Sequence, residues 1–198
     1  FPGGYMQSFE APVGAVMRGE NALQIGAATL EAKREWQPFT FTTNVSQARG
    51  ELVWAGYGIT APELGHDDYA GLDVKGKIVL VAAHFPEEPD THSPFRAPSA
   101  FRYGEWRNKA MNARDHGALA MIAVRDDWNH PGGNDALPPW RGAVSSRAGI
   151  AVAQATAGAL KRAGVDVSAL AAAVKPRKPS SKALGVQVAL AVGVEQEV

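Results

Sequence analysis

The longest regular pattern lies near the end of the chain, where Leu184, Val186, Val188, Leu190, Val192 and Val194 alternate with smaller or polar residues. A period of two kept up over this length predicts one long, half-buried β-strand. Two shorter runs, Lys77 to Ala83 (KIVLVAA) and Leu119 to Val124, are apolar at successive positions and predict strands covered on both faces, the first of them central. Between them, Tyr103, Trp106, Ala110, Ala113 and Gly117 recur at spacings of three and four. That spacing predicts a helix from about Phe101 to His116, ended by a left-handed cap at Gly117. Strand, helix, strand is a βαβ unit. The same order returns at Ile150 to Val152, followed by a helix from about Gln154 to Ala163 and a stop at Gly164. Asp166 is then placed to cap a last short helix, with Val165 and Leu170 stapling its first turn.

Toward the N-terminus the pattern breaks into short pieces, Val13 to Met17, Ala22 to Ile25 and Phe39 to Phe41, which read as brief strands between Gly, Pro and Asn. Glu51 to Ile59 reads as a strand covered on both sides, and Asp73-Val-Lys-Gly76 as the turn that enters the central strand. A loop rich in proline (Pro86, Pro89, Pro94, Pro98) follows that strand, and Lys175 to Lys182 is a basic Pro/Ser linker. The expected fold class is mixed α/β with β-rich flanks at both ends. Strands outnumber helices, so the sheet should be a sandwich or an open barrel with flanking helices.

Composition narrows the function. The 198 residues carry 20 Lys+Arg against 20 Asp+Glu, a net charge of zero, which argues against nucleic acid and polybasic membrane partners. Hydrophobic residues at 45% and charged residues at 20% indicate a chain able to build a core. Zero cysteines exclude disulfides, thiolate metal sites and a Cys nucleophile. No apolar run approaches the ~18 residues of a membrane span. The start at Phe1, without an initiator Met or a basic-then-apolar leader, reads as a piece of a longer precursor.

Candidate chemistry is sparse. Gly56-Tyr-Gly58-Ile-Thr-Ala61 fits a loose dinucleotide fingerprint, but Pro62, Gly65 and the pair Asp67-Asp68 follow instead of an amphipathic helix. A Gly-bearing strand end is the simpler reading. His84, Asp90 and His92 share one loop and could be grouped with His66, Asp67 and Asp68, yet no histidine stands in a metal-ligand motif. Solvated loop histidines and a capping or ion-paired Asp67-Asp68 are the expectation, with no metal ligand and no cofactor. Ser145 and Ser146 lie outside any nucleophile motif, so no catalytic residue is assigned. The distinctive surface feature is the loop from Arg125 to Gly142. It carries Trp128, His130, Trp140 and Arg141, which are candidate binding residues because Trp and Arg on loops concentrate contact energy. The competing reading is that both indoles simply tuck the loop onto the body.

Several segments carry a family likeness. Leu52-Val-Trp-Ala-Gly-Tyr-Gly-Ile59, then Asp67-Asp-Tyr-Ala-Gly-Leu-Asp-Val-Lys-Gly-Lys-Ile-Val-Leu80, with Tyr103-Gly-Glu-Trp106, Lys109-Ala110, Asn112-Ala113 and His116-Gly-Ala118 after them, resembles the protease-associated (PA) domain of zinc-dependent peptidases of the aminopeptidase and glutamate carboxypeptidase-like family. The likeness runs from about Glu51 to Val174. It implies a division into an N-terminal β-strand segment (1–48), the PA domain (49–175), and a linker with a returning strand (176–198). It further implies a non-catalytic module beside a di-zinc catalytic domain that would begin about where this chain stops, so zinc is expected there and not here. The implied partners are that catalytic domain in the same chain, its peptide substrate, or a second subunit. The implied location is extracellular or periplasmic. A free-standing peptide- or glycan-binding module and an independent hydrolase with a cryptic site are the alternatives.

Overall fold

Turn residues and β-branched runs cut the chain into short elements, which the computed structural model describes for residues 13–43, 45–126, 129–130, 134–143, 146–173 and 180–197. The strands are β1 (Gly14–Met17), β2 (Ala22–Ile25), β3 (Ala28–Leu30), β4 (Trp36–Pro38), β5 (Val45–Trp54), β6 (Thr60–Ala61), β7 (His66–Asp67), β8 (Ile78–Ala82), β9 (Ala120–Val124), β10 (Ala151–Ala155) and β11 (Lys182–Glu197). Among the described residues three helices, α1 (Trp106–Asp115), α2 (Ala157–Arg162) and α3 (Val167–Ala172), and three short 3-10 segments complete the set. No described helix is long and apolar enough to cross a membrane.

One sheet holds nearly all of the strands, in the order β3-β2-β11-β5-β8-β9-β10-β4, with β1 added along β11. Its centre, β5-β8-β9-β10, is parallel and its flanks are antiparallel. The sheet curls until β10 and β4 return against β11, giving a nearly closed barrel. Parallel strands must be covered on both faces, and β8, β9 and β10 are buried at every residue. One face, with Leu52, Trp54, Ile78, Leu80 and Ile122, fills the inside of the curl together with Leu160 and Leu170 from α2 and α3. The other, with Val53, Val79, Val81 and Met121, is covered by Ala110 and Ala113 of α1, whose small side chains let the helix lie close.

The end of α1 follows the expected pattern. Gly117 takes φ 87°, its amide donates to Arg114 O, and Ala118 N donates to Ala113 O. Asp166 caps α3 by accepting from Ala169 N, while Val165 and Leu170 are both buried beside it.

Other boundaries differ from expectation, each for a local reason. The helix expected from Phe101 begins only at Trp106, because Pro98 opens a 3-10 segment through Gly104 that absorbs Tyr103. The helix expected from Gln154 begins at Ala157, where Thr156 accepts from Ala159 N, and Gln154 itself sits in β10 opposite Gln37. The strand expected over Glu51 to Ile59 is displaced to Val45–Trp54, since Gly56 and Gly58 both take positive φ and turn the chain. The strand expected at Phe39 to Phe41 lies just earlier, at Trp36–Pro38. The last strand is longer than its alternating core and is not half-buried throughout. From Leu190 to Val194 both faces are covered, and a Cβ on Gly193 would stand 1.9 Å from Arg18 O. The basic linker at 175–182 falls largely outside the described residues.

Candidate functional site

The carboxyl ends of β8, β9 and β10 open onto one face, the place where sheets of this type gather binding groups. Ala83 and His84 leave β8, Arg125 and Asp126 leave β9, and Gln154 lies near the end of β10. With Phe39, Trp106, His130 and Pro138 they line a cavity of about 450 Å³. A second cavity of about 370 Å³ shares the wall formed by Phe39, Pro138 and Gln154 and continues to Trp140 and Arg141. Together they form one groove.

The loop along this groove is tied down at three places. Asp135 accepts from Ala157 N and Gly158 N at 2.7 and 2.6 Å, placing its charge at the start of α2. Gln37 Nε2 donates to Pro138 O at 3.0 Å, and Ala15 N donates to Gly142 O at 2.9 Å. A Cβ on Gly142 would sit 2.2 Å from Ala15 O, so only glycine allows this approach. Between these ties Trp140 is half-buried against the groove and Arg141 is exposed. Of the candidate binding residues, the structure thus brings Trp140 and Arg141 to one cavity and His130 to its neighbour. Trp128 lies outside the described residues.

Behind the groove is Lys109, 1% exposed. Its Nζ donates to Ala82 O at 2.7 Å and His84 O at 2.6 Å, satisfying carbonyls left open where β8 ends. Burial lowers its pKa to about 7, against the opposing pull of Asp68, Asp126 and Glu88. The ammonium also lies 5.5 Å from the ring centre of Tyr57 and 5.4 Å from that of Trp106.

Of the loop histidines expected to be solvated, His92 is, whereas His84 is not. His92 and Asp90 are exposed to solvent, joined by a hydrogen bond of 2.8 Å from His92 N to Asp90 Oδ1. His84 instead meets Glu88, Asp126 and His130, one donor atom from each lying within 4.8 Å of all the others. His84 Nδ1 is 2.8 Å from Glu88 Oε2 and 2.9 Å from His130 Nε2, which is itself 3.0 Å from Glu88 Oε2. Asp126 Oδ1 stands 3.8 Å from His130 Nε2. Burial raises the Asp126 carboxyl above the ordinary range, offset in part by the hydrogen bond from Asn129. Two pairs spaced four apart, His84 with Glu88 and Asp126 with His130, follow adjacent parallel strands whose register sets Ala82 beside Val124. The same offset brings Glu88 to His130. That is the signal sequence reading missed, because neither pair stands out alone.

The remaining sequence features resolve structurally. Gly56 to Ile59 does not cradle a phosphate, because Asp68 fills that position and accepts from Tyr57 N at 3.1 Å and Ile59 N at 3.0 Å. Asp67 Oδ1 accepts from Thr60 Oγ1 and Tyr69 N, which ties β6 to β7 and closes the turn that follows, where there is no helix for it to cap. His66 Nε2 approaches Asp68 Oδ2 at 3.1 Å without the alignment of a hydrogen bond.

Comparison with known proteins agrees with this architecture. The family model of the PA domain matches residues 48–161. An aminopeptidase from Aneurinibacillus sp. strain AM-1 superposes with a TM-score of 0.56 at 22% identity, 93% of this chain covering 33% of that one. BSAP, a zinc aminopeptidase from Bacillus subtilis, superposes with a TM-score of 0.51 at 14% identity, 95% of this chain covering 32% of that one. At these identities the likeness establishes the fold. The chain spans about a third of the length of these structures. No curated protein matches it significantly.

Proposed function

Since the chain belongs to the PA domain family, we propose that it is the non-catalytic protease-associated module of an aminopeptidase-like zinc peptidase. Its segments would be those expected from the sequence, with the PA body over 49–175. In this reading the zinc chemistry resides in a neighbouring catalytic domain, the protein works outside the cytosol, and the module shapes the substrate cleft or docks that domain or a second subunit.

The observation that carries the reading is the groove beside Trp140. An aromatic and proline wall is held in place by Asp135, Gln37 and Ala15 at the carboxyl ends of the parallel strands. Such a wall suits an extended peptide or a partner loop, because rigid aromatic anchors lose little entropy on contact.

The test is steady-state kinetics of the full-length protein bearing Trp128→Ala and Trp140→Ala. A true contact site loses about 2 kcal/mol or more of binding, so the Michaelis constant should rise by roughly thirtyfold with kcat little changed. If docking is the role, the same variant should loosen domain assembly while its module stays folded. Unaltered kinetics and assembly, or unfolding of the variant, would make the indoles part of the packing and overturn the proposal.

A further inference from the structure

We propose that His84, Glu88, Asp126 and His130 form a zinc-class divalent metal site within this chain, separate from any catalytic zinc of a neighbouring domain. Two imidazole nitrogens and two carboxylates match the donor preference of zinc and related transition ions, and are poorly suited to calcium or magnesium, which take oxygen ligands. Bonds of 2.0–2.1 Å in a tetrahedral shell place neighbouring donors about 3.3 Å apart. The spacings 2.8, 2.9 and 3.0 Å among His84, His130 and Glu88 lie close to that value, and Asp126, 3.8 Å from His130 and within 4.8 Å of the other donors, would close the shell by moving inward.

Hydrogen bonding alone leaves this arrangement poorly explained. His84 Nδ1 and His130 Nε2 face each other and also face the same carboxylate oxygen. If both nitrogens carry hydrogens, His84 can donate to Glu88 Oε1 and His130 to Oε2, but the two donors then stand only 2.9 Å apart. If one does, its neighbour offers a lone pair with a single hydrogen to share among three atoms. A cation at their common focus uses every lone pair at once.

The surroundings hold the donors in place. Asn129 Nδ2 donates to Asp126 Oδ2 at 3.0 Å and leaves Oδ1 toward His130, the outer-shell support typical of metal sites. Asp126 is 2% exposed and fixed at the end of β9. His84 takes φ 59°, a conformation unusual for a non-glycine residue, with its carbonyl held by Lys109. A bound ion would staple the loop after β8 to the loop after β9 and stiffen one wall of the groove.

The test is calorimetric titration of the 198-residue chain with zinc chloride, and with calcium chloride as a control, alongside His84→Asn, His130→Gln and His92→Asn. Asparagine tolerates the left-handed backbone at position 84, and position 130 supplies a second variant should the first misfold. Expected are one equivalent of zinc bound by the wild type and by His92→Asn, and about a hundredfold or greater loss of affinity in His84→Asn and His130→Gln. Zinc should also raise the wild-type melting temperature by about 5 °C or more, and calcium should not. Absence of zinc binding, equal binding by folded His84→Asn and His130→Gln, or a preference for calcium would overturn the proposal.

Discussion

Deleting residues 183 to 197 should leave a chain that no longer folds. β11 is the shared partner of β1, β2 and β5, so its removal exposes three strand edges at once. It also takes Val188, Leu190, Val192 and Val194 out of the core, all 3% exposed or less. At about 1.5–3 kcal/mol for each buried side chain the loss reaches roughly 6–12 kcal/mol, comparable to the whole stability of a typical domain. The expected result is loss of the cooperative melting transition and precipitation on expression. A melting curve like that of the intact chain would mean that β11 is dispensable.

The second large effect is expected at Asp68. Its buried carboxylate, 2% exposed, is the acceptor for Tyr57 N and Ile59 N. Asp68→Ala removes the carboxylate acceptor from two buried amides at about 1–3 kcal/mol each, so a loss of roughly 2–6 kcal/mol is expected. Asp68→Asn retains one acceptor oxygen and should lose less. Urea unfolding should show a lower midpoint with an unchanged slope, and a cost under about 1 kcal/mol for the alanine variant would refute the assigned role. Glycine is needed opposite, because a Cβ on Gly56 would lie 2.5 Å from Asp68 Oδ1.

These two sites also mark what the sequence reveals and what it hides. β8 and β9 are legible because β-branched and apolar residues at consecutive positions have one common outcome, a strand buried on both faces. The cap at Gly117 and the staple at Val165 and Leu170 are legible for the same reason: their determinants lie within one turn of helix. Gln154 misleads because a polar residue after a strand resembles a helix start, whereas here it ends β10 at the groove. The His84, Glu88, Asp126 and His130 cluster is hidden because its spacing becomes meaningful only when β8 and β9 are known to be parallel neighbours in a given register. Long-range pairing supplies that knowledge, and no local pattern contains it.

The central claim is that this module acts by contact through the groove at the carboxyl ends of its parallel strands. Backbone hydrogen exchange compares the full-length protein with residues 1–198 alone and reads that claim directly. Amides over 37–40 and 134–143 should exchange more slowly in the full-length protein, with little change along β2 and β3 at the far edge of the sheet. Equal exchange over 37–40 and 134–143, or protection gathered on β2 and β3, would contradict it.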